Sequence, residues 1–282
     1  AAGNTVLITG APASGKSEAA FRALVACVKR FGESNVVMTV ANRQLADQYS
    51  DRLIRELGSV SQARPVTTLN AVAFRMLSDY GNLAGKKPPR LLNGAEQDAL
   101  IRQVLAVHVQ HAMTGDLCAT CELLREYFAT DTWAGIVREQ DDSGLTGETV
   151  QLSATTETLL TQGMNEAFVM QLRDMIARMN ELDATNPYEY LEATENAGLC
   201  GERLRIQWKL AFALRKEYDE RIAVTYPDEY RLDSSRLLAS AAHVVDRVPH
   251  LPNALVVDDV QDVTLSGFML LRTLHHAGVQ IV

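Results

Sequence analysis

The segment that decides the fold lies near the start of the chain and reads Thr5-Val-Leu-Ile-Thr-Gly-Ala-Pro-Ala-Ser-Gly-Lys-Ser17. Its second part has the form G-x-x-x-x-G-K-[ST] of a phosphate-binding loop, and its first part is the short apolar strand that such a loop follows. From Glu18 to Arg30 apolar residues recur at helical spacing, and Gly32 then stops the helix. A Gly-rich turn that matches by chance is the alternative, and the strand–loop–helix order argues against it.

This loop is predicted to hold the phosphates of a nucleotide. Backbone N–H groups at a helix N-terminus point at an anion, and the helix dipole favours negative charge there. We expect Lys16 to reach the β- and γ-phosphates and the hydroxyl of Ser17 to bind Mg²⁺. The residues expected to contact the nucleotide are Gly10, Ala11, Pro12, Ala13, Ser14, Gly15, Lys16 and Ser17.

Composition limits the class of protein. The chain has 282 residues, of which 47% are hydrophobic and 22% charged, as in ordinary globular proteins. Its net charge of −8 excludes a generally basic nucleic-acid binder, so any contact with DNA must be local. No apolar stretch is as long as a membrane span and no leader pattern opens the chain, so a cytoplasmic protein without membrane contact is expected.

Two of the four cysteines form the pattern Cys118-Ala-Thr-Cys121, which has the spacing of half a zinc site or of a redox pair. Neither a second C-x-x-C nor a nearby histidine pair is identified that would complete a metal site. We therefore expect two free thiols at the start of a helix in a reducing compartment.

Five short apolar runs predict buried parallel strands, because strands covered by helices on both faces consist of continuous hydrophobic residues. Helical patterns follow the first four of these runs; after the second, Leu45, Tyr49, Leu53 and Leu57 form one apolar stripe that ends at Gly58. The alternation predicts an α/β fold, a doubly wound parallel sheet with helices on both faces. The runs are Thr5–Thr9, Asn35–Val40, Pro65–Leu69, Ala254–Val257 and Gly278–Val282.

The pattern changes between the third and fourth predicted strands, where helical periodicity dominates. This predicts a mostly helical insertion subdomain, residues 89–231, within an α/β domain made of residues 1–88 and 232–282. The helices predicted after the third strand are Gly94–Val107, Cys118–Phe128, Thr156–Arg178, Pro187–Ala197, Gly201–Val224 and Asp233–Val248.

Two carboxylates, Asp258 and Asp259, directly follow the fourth predicted strand. A carboxylate at the end of a strand near the phosphate loop is where P-loop ATPases hold Mg²⁺. We expect Asp258 to hold the metal through water and Asp259 to be the base that orients the attacking water. The ordinary alternative is that the two aspartates only cap a turn. The functional interpretation is favoured because the pair follows a later strand of the same predicted sheet as the phosphate loop.

The chain resembles the UvrD/Rep-like superfamily 1 DNA helicases near both of its ends. Met38-Thr-Val-Ala-Asn-Arg43 looks like the family's T-x-T-N-K segment, and Val66-Thr-Thr-Leu-Asn-Ala-Val-Ala-Phe-Arg-Met-Leu77 looks like its T-x-H-S-F segment. Asp258-Asp-Val-Gln-Asp262 looks like its D-E-x-Q-D, and Leu232-Asp-Ser-Ser-Arg-Leu-Leu238 is similar to the L-D-F-D-D-L-L helix before it. The resemblance implies a RecA-like P-loop NTPase domain with a helical insertion.

By this resemblance Gly15, Lys16 and Ser17 bind ATP with Mg²⁺, and Gln261 senses the γ-phosphate and couples it to DNA. The residues that would line the path of single-stranded DNA are Thr39, Asn42, Arg43, Thr68 and Asn70. Contacts of this kind to phosphates and stacked bases tolerate any sequence. From the residues alone, the two asparagines are also candidate N-caps of the helices that follow them, a role compatible with DNA contact.

The chain departs from the family pattern at several points. Asp259 stands where the family has Glu, and the missing methylene pulls the carboxylate back by about 1 Å, which can cost about 10²-fold in rate. Asn70 replaces a histidine and Val40 an aromatic residue, which weakens base stacking. The family's second motor domain with its arginine fingers, and its adenine-binding glutamine upstream of the loop, have no counterpart between Ala1 and Val282. We therefore expect the N-terminal motor-domain part of a longer helicase, which hydrolyses ATP slowly on its own.

Three functions remain open from the sequence. The first is the ATP-binding part of a DNA helicase, which translocates on single-stranded DNA and unwinds duplexes in repair or recombination, partnered by a second motor domain of the same parent chain. The second is a catalytically weak or inactive DNA-binding subunit of a helicase–nuclease complex with a sister subunit; Asp259 favours it, and Pro89–Asp98 is similar to a segment of actinobacterial Adn-type subunits. The third is an unrelated P-loop enzyme such as a small-molecule kinase.

Two small basic groups are candidates for contact with duplex DNA. They are Lys86, Lys87 and Arg90 in the linker, and Arg203, Arg205 and Lys209 along one predicted helix.

Overall fold

In the computed structural model, the apolar runs form short strands and the periodic segments form helices. The structure describes residues 3–58, 64–116, 118–128, 166–188, 191 and 201–282. The strands are β1 (Val36–Thr39), β2 (Val66–Thr67), β3 (Arg90–Leu91), β4 (Arg231–Leu232), β5 (Ala254–Val257) and β6 (Gln280–Ile281). The helices are α1 (Lys16–Phe31), α2 (Arg43–Leu57), α3 (Leu69–Leu83), α4 (Gly94–Thr114), α5 (Ala119–Phe128), α6 (Glu166–Glu181), α7 (Glu202–Thr225), α8 (Leu237–Ala242) and α9 (Leu265–His276).

The chain folds as two compact units. The first unit consists of Ala1–Arg90 and Ser234–Val282, and the second unit is Leu91–Asp233. The sequence pattern placed the divisions after residues 88 and 231, whereas the units divide after residues 90 and 233. The helical second unit is thus inserted into the chain of the first.

The first unit is built on a small parallel sheet with the strand order β2-β1-β5-β6, flanked by helices. Pairing aligns Thr39 of β1 with Val257 of β5 on one side and with Thr67 of β2 on the other. All of β1 and most of β5 are buried, as the continuous apolar runs predict. Because the strands are parallel, their carboxyl ends meet at one edge, and the segments that follow β1, β2 and β5 lie there. The prediction of an α/β fold with a parallel sheet is therefore confirmed.

The first predicted strand, Thr5–Thr9, does not form. Thr5 makes one parallel bridge to Ile281, and the N–H of Val6 donates to the carbonyl of Ile281 at 2.9 Å. The residues from Val6 to Thr9 belong to no strand. Beyond the bridge the side chains are open to solvent: Val6 is 55% exposed and Leu7 71% exposed. An apolar run indicates burial only when a neighbouring strand is there to pair with it.

Helices α1 and α2 pack on the sheet through one apolar core. It contains Phe21 and Leu24 from α1, Leu53 from α2, and Met38 and Val256 from the strands. α2 has the apolar stripe expected from its sequence, and the residues of that stripe are buried or half-buried against the core.

The single helix predicted over Asp233–Val248 is wrong. A 3-10 turn at Ser234–Arg236 precedes the short α8, and another at Val245–Arg247 follows it. α8 packs against both α3 and α9, so its apolar side chains are buried on several sides instead of along one stripe. Val244, with φ of −113°, interrupts the helical backbone between α8 and the second turn.

The second unit is a helical bundle around an aromatic cluster. Phe128 of α5 lies with its ring centroid 5.1 Å from that of Phe168 in α6 and 5.3 Å from that of Tyr127. At the point where the chain enters and leaves this unit, β3 and β4 pair, and the N–H of Leu92 donates to the carbonyl of Leu232 at 3.0 Å. None of the described helices is long and apolar enough to cross a membrane.

The helices of the second unit follow the sequence pattern with shifted ends. α4 runs seven residues beyond its predicted end at Val107 and stops at the left-handed Gly115. α5 and α7 each begin one residue later than predicted. α6 is described from Glu166 and ends at Glu181, so the start of its prediction lies outside the described residues. The helix predicted over Pro187–Ala197 also falls largely outside them.

Candidate nucleotide site

The phosphate loop leads directly into α1, which begins at Lys16, two residues before the predicted start at Glu18. Gly15 is the N-cap, with the left-handed φ of 87°, and Ala13 has a φ of 61°. Lys16 and Ser17 therefore lie in the first turn, where the backbone N–H groups have no partner within the helix. The loop from Gly10 to Gly15 is exposed. A helix N-terminus of this kind can bind an anion.

Lys16 folds back over the loop. Its Nζ donates to the carbonyl oxygen of Ala11 at 2.9 Å and to that of Gly10 at 3.2 Å. The N–H of Ser14 also donates to the carbonyl of Ala11, at 3.2 Å, and this bond closes the loop as a tight turn. The ammonium group is thus held over the loop, beside the N-terminus of α1.

Ser17 and Asp258, the two predicted Mg²⁺ ligands, interact with the same side chain. The hydroxyl of Tyr49 in α2 donates to Oδ2 of Asp258 at 3.5 Å and is also hydrogen-bonded to Ser17. Burial and the negative charge of Asp258 raise the pKa of Tyr49, although the bond to Ser17 opposes the rise. The phenol therefore stays protonated and donates at neutral pH. The sequence pattern placed Tyr49 only in an apolar stripe and did not predict this role. The polar hydroxyl on an otherwise apolar stripe was the one signal that could have indicated it.

Contacts between α1 and α2 hold Tyr49 in place. Glu18 pairs with Arg52 at 2.6 Å and with Arg22 at 3.1 Å, and the hydrogen bond from Arg52 holds the pKa of Glu18 below its usual value. The guanidinium of Arg52 lies 3.9 Å from the ring centroid of Phe21. The ring of Phe21 in turn stacks on that of Tyr49, with centroids 5.8 Å apart. The first turn of α1 is thereby tied to the middle of α2.

Asp258 and Asp259 stand at the end of β5. The N–H of Asp258 donates to the carbonyl of Thr39 at 2.9 Å, which extends the β1–β5 pairing past the strand end. Asp259 has left-handed φ and ψ of 54° and 49°, a conformation in which Asp and Asn are several-fold enriched. Its Oδ1 accepts a hydrogen bond from Nε2 of Gln261 at 3.0 Å. The predicted base and the predicted γ-phosphate sensor are thus in contact, and the turn itself gives a physical reason for Asp in place of Glu.

Two concave regions meet at these carboxylates. A pocket of about 400 Å³ includes Lys16, Asp258, Asp259 and Gln261 among its lining residues. A smaller pocket of about 190 Å³ also contacts both carboxylates, and its other lining residues include the DNA candidates Thr39, Thr68 and Asn70. Lys16, the predicted base and γ-phosphate sensor, and three of the predicted DNA residues therefore line neighbouring spaces at the carboxyl edge of the sheet.

The DNA candidates differ in their structural roles. Asn42 is exposed and caps α2, accepting the N–H of Leu45 at 2.9 Å, as the sequence predicted. Asn70 is not a cap: Thr68 caps α3 by accepting the N–H of Ala71 at 3.2 Å, because α3 begins at Leu69. Asn70 is exposed on the first turn of α3, and Arg43 is exposed on the first turn of α2.

Thr39 is the least accessible of these candidates. Its residue is 3% exposed, and its hydroxyl has no hydrogen-bond partner among the described residues. Thr39 is one of the residues that line the smaller pocket. Of the basic groups on the second unit, Arg205 is exposed, Lys209 lies with Nζ 5.8 Å from the ring centroid of Tyr188, and the side chain of Arg203 is outside the described residues.

The expectation that Cys118 and Cys121 lack a histidine pair is wrong. His108 and His111, on the last turns of α4, lie with the two cysteines in one cluster in the second unit. Burial opposes ionisation of Cys118, but hydrogen bonds with Cys121 and His111 and the charge of His108 lower the pKa of its thiol to about 7. The signal that could have found the pair is H-x-x-H upstream of C-x-x-C.

Comparison with models of known protein families finds no match to the chain, and none of the curated proteins compared with it matches in sequence. A function is therefore inferred from the geometry at the carboxyl edge of the sheet.

Gly15→Ala is expected to destabilise the first unit by about 1–2 kcal/mol, because a side chain is strained at a φ of 87°. A Cβ at this position meets no atom within 4 Å, so the cost is conformational. Urea unfolding of the chain measures it. Gly94→Ala at the start of α4 is the control, expected to be neutral or stabilising because Ala favours a helix over Gly. Equal losses in the two variants would contradict the expectation.

Proposed function

We propose that this chain binds ATP with Mg²⁺ and is the RecA-like ATP-binding part of a UvrD/Rep-type DNA helicase. The observation that carries the proposal is the meeting of Ser17 and Asp258 at the hydroxyl of Tyr49. One comes from the first turn after a phosphate-type loop and the other from the end of β5. Oxygen ligands in this placement, at the carboxyl edge of a parallel sheet, suit a nucleotide with its Mg²⁺ ion.

The phosphate groups are proposed to lie against the N-terminus of α1. Gly15 carries no side chain there, and the first-turn N–H groups together with Lys16 offer positive partial and full charge. On binding, the ammonium of Lys16 exchanges its bonds to the carbonyls of Gly10 and Ala11 for bonds to phosphate oxygens. A charge-assisted bond is stronger than a bond to a neutral carbonyl, so the exchange is favourable.

The donor set also fits the metal. The hydroxyl of Ser17 and the carboxylate of Asp258 are hard oxygen ligands of the kind that Mg²⁺ accepts, with water and phosphate as the remaining ligands. When bound, the ion neutralises charge that develops on the phosphates. Asp259 would hold the attacking water as its base, and Gln261, bonded to it at 3.0 Å, would fix the orientation of the carboxylate.

Single-stranded DNA is proposed to cross the carboxyl edge of the sheet near the starts of α2 and α3. Arg43 offers a cation there and Asn42 and Asn70 offer exposed amides, all suited to phosphate and base contacts without sequence preference. In the parent protein a second motor domain would supply arginine fingers, worth about 10³–10⁵ in rate. Hydrolysis between the two domains would drive translocation and unwinding of duplex DNA in repair or recombination.

A second candidate function is a weak or inactive DNA-binding subunit of a helicase–nuclease complex, assembled with a sister subunit. The left-handed backbone at Asp259 favours it, because this conformation selects a short side chain and so keeps the carboxylate back from the phosphates. The nucleotide site is the same in both candidates. They differ in whether hydrolysis is efficient.

Lys16→Ala is expected to weaken ATP binding by about 10–100-fold, the value of a hydrogen bond to a charged group. Equilibrium titration with a fluorescent ATP analogue, with and without Mg²⁺, measures the loss. Lys29→Ala, at the exposed end of the same helix, is the matched control and should bind as the parent chain does. Asp258→Asn should bind the metal-free analogue normally and lose the gain due to Mg²⁺. Equal affinity in the two lysine variants contradicts nucleotide binding at this loop.

Arg43→Ala is expected to weaken binding of single-stranded DNA and to lower the slope of log affinity against log salt by about 0.7, the loss of one phosphate contact. Titration of a labelled oligonucleotide at several salt concentrations gives both quantities. Arg55→Ala, an exposed arginine near the other end of α2, removes the same charge away from the sheet edge. If it has the same effect as Arg43→Ala, the proposed DNA path is wrong.

Asp259→Glu separates the two candidate functions. In a working motor the substitution should leave ATP hydrolysis unchanged or lower it, because the left-handed turn disfavours the longer side chain. In a weak subunit the restored reach of about 1 Å should raise the rate by up to about 10²-fold. DNA-stimulated hydrolysis by the longer parent chain is the measurement. Asp246→Glu, at an exposed carboxylate outside the predicted site, should change nothing in either case.

A further inference from the structure

Four metal-binding side chains meet where α4 ends and α5 begins. His108 and His111 are one turn apart on α4, and Cys118 and Cys121 are one turn apart at the start of α5. One ligand atom from each residue lies within 4.8 Å of those of the other three. His108 is 1% exposed and Cys121 is fully buried, whereas the other two are half-buried.

Four of the six distances between the ligand atoms lie within about 0.3 Å of the edges of a coordination tetrahedron, and the other two are within 4.8 Å. With Zn–S of about 2.3 Å and Zn–N of about 2.0–2.1 Å, tetrahedral geometry puts two sulfurs about 3.8 Å apart and a sulfur and a nitrogen about 3.5 Å apart. The Sγ atoms of Cys118 and Cys121 are 3.5 Å apart. Nδ1 of His108 lies 3.5 Å from Sγ of Cys118 and 3.4 Å from Sγ of Cys121. Nδ1 of His111 lies 3.7 Å from Sγ of Cys121.

A carboxylate on a third helix orients the first histidine. Nε2 of His108 lies 2.7 Å from Oε2 of Glu217 in α7. At this distance the carboxylate of Glu217 accepts the ring proton of Nε2. Thr120 donates to the other oxygen of Glu217 at 2.7 Å. The bond to Glu217 leaves Nδ1 of His108 as the atom that faces the sulfurs, and this carboxylate–histidine arrangement commonly supports metal ligands.

We propose that His108, His111, Cys118 and Cys121 bind one zinc ion as a structural site of the second unit. Two thiolates and two imidazoles are a ligand set that zinc prefers, and four protein ligands leave no position for water or substrate. The site is therefore closed and does no chemistry of its own. It ties the end of α4 to the start of α5 across the turn at Gly115, and Glu217 connects it to α7.

A disulfide between Cys118 and Cys121 is the competing use of these thiols. A bonded pair has its sulfurs about 2.05 Å apart, and here they are 3.5 Å apart, with both also directed at the ring of His108. A disulfide would need neither histidine and would give no reason for Glu217 to fix the ring of His108. The geometry of all four residues together favours zinc.

The test is metal analysis of the full chain, purified without chelator or added metal, followed by replacement with Co²⁺. We expect about one zinc per chain and, with cobalt, the intense thiolate charge-transfer absorption of a tetrahedral site with two sulfurs. Cys121→Ser and His111→Ala should lose the bound metal. Cys27→Ser, a free cysteine in the first unit, is the matched control and should keep it.

Glu217→Gln provides a milder change that keeps all four ligands. It should lower zinc affinity about 10–100-fold, measured by competition with a chromophoric chelator. If the ligand variants fail to fold, this variant and the cobalt spectrum of the unmodified chain still decide the question. The proposal is overturned if the chain holds no zinc and gives no thiolate–cobalt absorption. It is also overturned if thiol counting after denaturation finds Cys118 and Cys121 oxidised in the protein purified with reductant. Each readout is independent of ATP and DNA binding.

Discussion

The parallel pairing of β1 with β5 is the interaction on which the rest of the first unit depends. It joins a segment near the start of the chain to one near its end, and a helical unit is inserted between them. The pairing extends past the strands when the N–H of Asp258 donates to the carbonyl of Thr39. This bond fixes where the chain leaves the sheet, so that the carboxylate of Asp258 reaches Tyr49 and the next residue begins the left-handed turn.

Contacts between α1 and α2 complete the arrangement of the residues around Asp258. The loop after the bridge at Thr5 is not supported by a long strand, and the position of α1 is secured by its contacts with α2 and the core. The stacked rings of Phe21 and Tyr49, with Arg52 over Phe21 and paired to Glu18, connect the first turn of α1 to α2. Because these groups are partly solvated, the ion pair adds little free energy by itself. Its value lies in directing the Tyr49 side chain.

Local patterns were sufficient for some elements and insufficient for others. β1 and β5 could be predicted because each is a continuous apolar run. α2 could be predicted because its apolar stripe, its N-cap and its glycine stop all lie in the segment itself. The strand at Thr5–Thr9 could not, since its pairing depends on a partner strand from a distant part of the chain. Tyr49 could not be assigned to the site either, because its partners come from α1 and β5.

The histidines show how an error in a boundary becomes an error in a site. With α4 predicted to end at Val107, His108 and His111 lay beyond the predicted helix and were not recognised as one face of it. The helix continues to Gly115, which supplies the left-handed stop. A difference of about two turns in a helix end therefore hid two of the four ligands in the cluster with Cys118 and Cys121.

Helix α2 carries two kinds of contact on one rigid body. Its N-terminus presents Asn42 and Arg43 at the sheet edge, and Tyr49 lies further along it, about 10 Å away at 1.5 Å per residue. The helix contains neither proline nor glycine between these points, so it has no residue that favours a sharp kink there. A rigid-body movement of α2 would therefore carry Tyr49 and the two residues at the N-terminus together, which would couple the carboxylates of the first unit to its surface.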